Sequence, residues 1–278
     1  IVLAAASSTG VTPGYTAGSA SLTLGTDAVL STAGLWTKDV PGGMNASVLA
    51  IHGGTIELKA TDSVSVAGTK PYTSASIDLR AGSLIDVSGG AYVSSTGRAK
   101  AGGGGSLTIT QTVADINPFT LGSTLEGFGT AIGGQFGGGG SLAISAPGLD
   151  IDILSPESMA GALTRQPAAG NLELSTEFFS AGGFASVAVA GRGMTLGNGV
   201  LLAPKVVSRL LDLSSANDAA PNLRAGATRV LLPQGVRAPF SLTLRSFGYA
   251  ALPGATVVDP DAALLIGEGV VIRVDPRG

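Results

Sequence analysis

A degenerate repeat constrains the fold of this chain more than any other feature. Three stretches share it: 21–34, 55–68 and 76–89. In each, apolar residues occupy places two and four, a polar or glycine turn follows, apolar residues return near places ten and twelve, and glycine ends the unit. Less regular copies of the same unit begin further along the chain, at 186–199, 241–254 and 263–276.

The spacing of the apolar residues predicts secondary structure. Residues two apart on a strand share one face, so each unit predicts two strands with an apolar face toward a core and a polar face toward water. One such unit cannot bury its apolar face alone, and neighbouring copies must therefore stack around a common core. We predict an all-β solenoid whose inward residues are Leu22, Leu24, Ile56, Leu58, Ile77, Leu79, Leu107, Ile109, Leu142, Ile144, Val187, Val189, Leu242 and Leu244.

The distance between copies varies along the chain. Copies that begin at Ser106 and Ser141 each follow four glycines and start 35 residues apart, whereas those at Thr55 and Ser76 start only 21 apart. Unequal spacing predicts rungs of similar cross-section with loops inserted at their corners. The predicted insertions in this single segment, 1–278, lie near 35–46, 91–101, 111–136, 155–170 and 213–238. Within one of them, 155–158 predicts the start of a short helix, with serine at the N-cap and proline next.

Composition supports strands and excludes several classes of function. The chain has 43 glycines and only 13% charged residues, against about 25% in an ordinary globular domain, which disfavours amphipathic helices. Without cysteine it has neither disulfides nor thiolate metal sites. A net charge of −3 and the lack of a basic run disfavour nucleic acid as a partner, and no apolar run is long enough for a transmembrane helix. The apolar start, without an initiator methionine, is typical of a strand cut from a longer chain.

Candidate reactive residues are few. His52 is the only histidine, and its position before two glycines predicts an exposed turn residue. Asp150 and Asp152 are the best candidates for acid–base catalysis or cation binding, because they share one strand face; the simpler interpretation is a strand with two outward aspartates. Three further acids, Glu57, Asp78 and Glu173, occupy the third place of a strand and predict either a stacked polar ladder or a solvated face.

Other motifs point away from cofactor chemistry. Neither four-glycine run is followed by Lys-Ser or Lys-Thr, so neither is a phosphate loop, and the glycines around 127–129 and 191–193 do not complete a dinucleotide fingerprint. Trp36 predicts a residue that packs over a flank of the solenoid, with a small binding anchor as the alternative. We therefore predict no catalytic, cofactor-binding or metal-binding residue and no cofactor.

Several strings resemble filamentous-haemagglutinin-like large exoproteins of two-partner secretion, in the region downstream of their secretion domain. The strings lie at 31–36, 76–90, 124–129, 178–184 and 266–276. The resemblance implies a right-handed parallel β-helix, export through an outer-membrane transporter partner, and a secreted or cell-surface location. It also implies a structural or adhesive role as a rod, stalk or filament. The chain lacks a recognisable secretion domain and an effector, which favours an internal segment.

This interpretation predicts particular partners and leaves alternatives open. Expected partners are neighbouring β-helical segments of the same protein, a homopolymer of it, and host or cell-surface glycans. A polysaccharide lyase or hydrolase built on a β-helix is the main alternative, and a β-sandwich binding module is a further one. The sequence does not separate an adhesin stalk from a self-assembling filament.

Overall fold

A computed structural model of the chain describes residues 1–7, 20–39, 50–62, 75–112, 119–168, 170–213, 223–247 and 263–275. Strands account for 49% and helix for 4%, which confirms the all-β class. Within the described ranges, six successive segments each begin with a strand of one sheet and continue with strands that pair in other sheets. The first three segments contain β1 (Val2–Ser7), β2 (Ala20–Leu24), β3 (Val29–Ser31) and β4 (Trp36–Lys38); β5 (Thr55–Asp62), β6 (Ala75–Leu79), β7 (Leu84–Asp86), β8 (Ala91–Val93) and β9 (Ala99–Ala101); and β10 (Ser106–Thr112), β11 (Phe119–Leu121), β12 (Thr124–Glu126), β13 (Gly129–Ile132) and β14 (Gln135–Phe136). The last three contain β15 (Ser141–Ala146), β16 (Asp150–Leu154), β17 (Thr164–Arg165), β18 (Asn171–Ser175) and helix α1 (Phe178–Ala181); β19 (Ser186–Gly191), β20 (Met194–Leu196), β21 (Leu201–Leu202), β22 (Ser208–Leu211), a 3₁₀ turn (Leu223–Gly226) and β23 (Thr228–Val230); and β24 (Ser241–Ser246), β25 (Leu264–Ile266) and β26 (Val271–Ile272).

The first strands of the six segments form one sheet. Its order is β1-β5-β10-β15-β19-β24, and every pairing is parallel. The register aligns equivalent apolar residues of adjacent strands. Leu142 lies between Leu107 and Val187, and Leu107 in turn lies beside Ile56. Apolar side chains therefore form continuous rows on the inner face, as alternation along each strand requires.

Later strands of the segments also pair in parallel. The second strands form the sheet β11-β6-β2 and the run β16-β20-β25, which β18 of the fourth segment joins beside β16, with β17 antiparallel at its edge. Third strands form β12-β7-β3 and β21-β26. These sheets face the six-stranded sheet across one apolar core, and none of the sheets in the described part of the chain closes on itself.

The predicted inward residues lie where the alternation placed them. Twelve of the fourteen are buried, and all fourteen belong to parallel strands. Leu242 and Leu244 are only half-buried and pack against the core from β24, because β24 is the last strand of its sheet.

The structure corrects the predicted spacing. Ser21 and Ser76 are partners in adjacent strands, but Thr55 belongs to the six-stranded sheet, so the 21-residue step from Thr55 to Ser76 joins two strands of one segment. First strands after β1 begin at 55, 106, 141, 186 and 241, which gives steps of 51, 35, 45 and 55 residues. The repeat period was predicted incorrectly because the first and second strands of a segment have the same alternation of apolar and polar residues.

Several predicted insertions fold as antiparallel hairpins beside the core. Region 91–101 is the hairpin β8–β9, 155–170 carries β17 against β18, and 213–238 returns β23 against β22. Region 35–46 contains β4, and its remainder from 40 lies outside the described residues.

Two of these predictions were wrong in part. Region 111–136 contains β11 and β12, which pair with β6 and β7, so most of it belongs to the strand repeat and only its end forms a hairpin. The expected helix at 155–158 is a series of turns, although the Ser155 hydroxyl accepts the Ser158 N–H as an N-cap would. The short helix lies at α1 instead.

The hairpins build a flank with its own small core. Sheets β4-β8-β9 and β14-β13-β22-β23 contribute Ala91, Val93, Ile132 and Leu211, and Trp36 packs against them. This confirms the structural interpretation of the tryptophan.

The glycine runs are tightly packed backbone rather than open loops. The glycine seam consists of Gly102–Gly105 and Gly137–Gly140, which lead from the flank into the six-stranded sheet, and of Gly89–Gly90, which lie between β7 and β8. The Gly102 N–H donates to the Gly90 carbonyl at 2.8 Å, and the Gly104 N–H donates to the Gly138 carbonyl at 2.9 Å. A β-carbon on most seam glycines would overlap backbone atoms of the neighbouring segment, so glycine is required by close approach.

Candidate functional site

Asp150 and Asp152 point outward from β16, as predicted. Their neighbours Ile151 and Ile153 are buried. Both Asp150 oxygens are held by the Arg192 guanidinium, one of them from Nε at 2.9 Å, and the Gly193 N–H donates to the same oxygen at 3.1 Å. This aspartate fixes the turn between β19 and β20, and its oxygens are already occupied by hydrogen bonds that a substrate would have to displace.

The three third-place acids do not stack into a ladder. Glu57, Asp78 and Glu173 lie in three different sheets. Each forms an ion pair: Glu57 with Lys59, Asp78 with Arg80, and Glu173 with Arg165. Lys59 and Arg80 each stand two residues after their acid, Lys59 on the same face of β5 and Arg80 just beyond the end of β6. Glu57 and Asp78 are partly exposed, as a solvated face implies, whereas the side chain of Glu173 is largely buried. Partly exposed ion pairs contribute little stability.

His52 lies exposed at a bend beside the glycine seam. Its Nδ1 accepts the Gly103 N–H at 3.0 Å. The imidazole thus secures the backbone of the next segment. Among the described residues, no group of three or more His, Cys, Asp or Glu is arranged to hold a metal ion.

The outer face of the six-stranded sheet carries rows of mostly small side chains, many of them hydroxylated. One row, at the third place of each strand, contains Glu57, Thr108, Ala143, Ala188 and Thr243. A second row, at the first place, contains Thr55, Ser106, Ser141, Ser186 and Ser241. An open groove of about 780 Å³ follows the second row, with seam glycines on one side.

Sequence reasoning missed a charged cluster on the flank. The arginine cluster consists of Asp86 on β7, Glu126 on β12, Arg209 on β22, Arg224 in the 3₁₀ turn and Arg229 on β23. Glu126 accepts one hydrogen bond from Arg209 and one from Arg229, each at 2.5 Å, and Asp86 accepts one from Arg224 at 2.6 Å. The cluster joins the flank to two strands of the core.

Burial and an aromatic ring shape the electrostatics of this cluster. Glu126 and Arg209 are almost fully buried, and the guanidinium carbons of Arg209 and Arg229 lie 5.0 and 4.8 Å from the centre of the Phe128 ring. Cations over an aromatic face are stabilised by the ring quadrupole. Within the described part of the chain, the buried Nη1 of Arg209 has no hydrogen-bond partner.

Protonation equilibria in the cluster follow from this environment. Burial raises the pKa of Asp86, but hydrogen bonds from Ser88 and the Arg224 guanidinium outweigh burial and hold the pKa below its usual value. Burial lowers the pKa of Arg209, while the charge of Glu126 opposes that change. The pairs are separated by 83 to 138 residues along the chain, so no local spacing in the sequence marks them.

Comparison of the chain with family models, curated proteins and solved structures found no significant match. The resemblance to filamentous-haemagglutinin-like exoproteins therefore rests on the sequence strings alone. In the described part of the chain, no helix has the length and apolar character needed to cross a bilayer.

Proposed function

We propose that this chain is a structural or adhesive segment of a secreted bacterial surface exoprotein. In this proposal it is wound as a right-handed parallel β-helix with loop insertions at the rung corners, forming part of a rod, stalk or filament. One observation carries the proposal: six segments contribute successive strands, all parallel and in register, to a single sheet. Regular stacking of this kind extends a chain along one axis.

The chemistry of the surface supports a binding or structural role over catalysis. Asp150, the first candidate for acid–base work, is bound by Arg192 and Gly193. The outer face instead presents rows of small hydroxyl and methyl groups. Such a face offers many weak contacts, and repetition along a rod turns weak contacts into useful avidity.

The proposal includes a route of export and a set of partners. Export would use an outer-membrane transporter partner, and the mature segment would contact neighbouring β-helical segments, further copies or surface glycans. The edge positions of β1 and β24 support the contact with neighbouring segments, because a sheet edge presents backbone groups to an added strand.

Imaging tests the architecture. Cryo-electron microscopy of the purified chain, or of the exoprotein that contains it, is expected to show parallel strands spaced by about 4.8 Å along a rod axis. An antiparallel arrangement of β5, β10 and β15 would overturn the β-helix.

A cleavage screen separates the proposed role from the enzymatic alternative. Acidic and neutral polysaccharides are incubated with the protein, with and without calcium, and the control is the double variant Asp150→Ala/Asp152→Ala. We expect no cleavage by either protein. Turnover that disappears in the double variant would replace the structural role with a carbohydrate-active one.

Binding to cells tests the adhesive part of the role. Beads coated with the folded protein are expected to bind target cells more than beads coated with the core-disrupted variant Ile77→Asp. Equal binding by the two preparations would remove adhesion from the proposal and leave a purely structural role.

A further inference from the structure

A second cavity lies between the core and the flank, beside the arginine cluster. It is a depression widely open to solvent, with a volume of about 470 Å³. Its walls come from the hairpin that contains β17, from α1, from the residues around β21 and from β23. The lining includes Leu163, Leu201, Ala203, Val207 and Arg229.

The apolar part of this wall is exposed to solvent. Leu163 is 40% exposed and Leu201 is 55% exposed. An exposed apolar surface inside a concave site gains free energy when an apolar group covers it. The cavity is thus suited to a hydrocarbon body of a few carbon atoms.

The positive charge on the opposite wall favours a ligand whose polar end is an anion. Glu126 carries one negative charge and is shared by two guanidiniums, those of Arg209 and Arg229. Arg209 is buried, and its Nη1 meets no acceptor among the described residues; two guanidiniums thus share one carboxylate in this group of three. Arg229 is 58% exposed and lines the cavity, so an incoming anion meets the excess positive charge there.

We propose that this cavity binds a monocarboxylate with an apolar body. The carboxylate accepts hydrogen bonds from the Arg229 guanidinium, which remains paired with Glu126, and the hydrocarbon packs against Leu163 and Leu201. Arginine suits this role because its planar fork matches the two oxygens of a carboxylate.

One acidic residue of the lining restricts where the carboxylate of a ligand can bind. Glu177 also lines the cavity, and its charge opposes an anionic ligand. Only the end of the cavity near Arg229 is therefore suited to the carboxylate. Replacing Glu177 with glutamine removes the repulsion without changing the shape of the side chain.

Octanoate and its uncharged analogue octanamide are the probes, and calorimetric titration measures their affinities. We expect saturable octanoate binding, with octanamide about tenfold weaker, as the loss of one charged hydrogen-bonded contact implies. The variant Arg229→Gln should weaken octanoate about tenfold, and Glu177→Gln should strengthen it a few-fold. The control Arg98→Gln, at an exposed position on another hairpin, should leave the affinity unchanged.

A second pair of variants tests the apolar wall without altering Arg229, whose replacement would also change the packing of the flank. Leu201→Glu places a charge on the exposed apolar wall and should abolish octanoate binding. Leu265→Glu, at an equally exposed leucine on β25, should not affect it. Equal affinity for octanoate and octanamide, unchanged binding by Arg229→Gln, or no saturable binding up to about 10 mM would each overturn the proposal.

Discussion

The carbonyl oxygen of Gly102 occupies the space that a β-carbon on Gly137 would need. Gly138, the next residue, faces open space, and both residues lie in the same run of four glycines. Two adjacent glycines of one run thus have opposite structural roles.

Substitution by alanine should separate these two glycines. Gly137→Ala must displace backbone of the neighbouring segment and should lower the free energy of unfolding by about 3 kcal/mol. Gly138→Ala should change it by less than about 1 kcal/mol. Urea denaturation followed by circular dichroism measures both, and equal losses would contradict the close approach at the seam.

A buried charge should be far more costly than an exposed one. Ile77 is fully buried between Leu22 and Phe119, so Ile77→Asp should lower the free energy of unfolding by more than about 4 kcal/mol. Thr243 is exposed on the outer face of β24, and Thr243→Asp should cost less than about 1 kcal/mol. Similar melting temperatures for the two variants would contradict the assignment of inner and outer faces.

The sequence predicted the strands of the core well because alternation is a local property. Leu107, Ile109, Leu142 and Ile144 could be placed on the inner face from spacing alone, and the glycine runs correctly aligned Ser106 with Ser141. What the alternation does not encode is the sheet to which a strand belongs. First and second strands of a segment carry the same pattern, so their separation along the chain was mistaken for the repeat.

The flank and its charged cluster could not be predicted for a different physical reason. Arg224 and Asp86 are 138 residues apart, and their contact depends on how a hairpin folds back onto the core. Asp86 lies in the repeat unit 76–89, but the repeat does not mark its partner, because an ion pair needs only opposite charges that meet in space. The glycines of the seam were noticed, but nothing in their sequence distinguishes close backbone packing from an open turn.

Removing the shared carboxylate should loosen the flank more than the core. Glu126→Gln leaves Arg209 buried beside Arg229 without a counter-ion, at a cost of about 3 kcal/mol. Hydrogen exchange should then accelerate at Leu210 and Leu211 on β22, while the amides of Leu142 and Ile144 in the six-stranded sheet remain protected. Uniform acceleration in both sheets would mean that the cluster supports the whole molecule.

Acid should reveal the contribution of Asp86. Its pKa is lower in the folded chain than the ordinary value of 3.8, so its carboxylate stabilises the fold at pH values above the ordinary pKa. That contribution is lost as the pH falls through the folded-state pKa. The difference in unfolding free energy between the wild type and Asp86→Asn should therefore be largest near pH 6 and shrink below about pH 4.

A surface carboxylate provides the control for this measurement. Asp78 pairs with Arg80, whose side chain is largely exposed, and Asp78→Asn should show little difference at either pH. Equal behaviour of the two variants would indicate that Asp86 is not set apart by its burial.

The glycine seam also sets the order of events when this chain folds. Gly90 donates to Ile51 and Gly104 donates to Gly138, so seam bonds join residues 39 and 34 positions apart. Glycine loses more conformational entropy than other residues when it is fixed, and contacts between distant residues form slowly. We therefore expect a newly made chain to gain stability from its seam only after several segments have been brought together, and to fold more slowly than a helical chain of the same length. Slow folding would keep the chain unfolded during the proposed passage through an outer-membrane transporter.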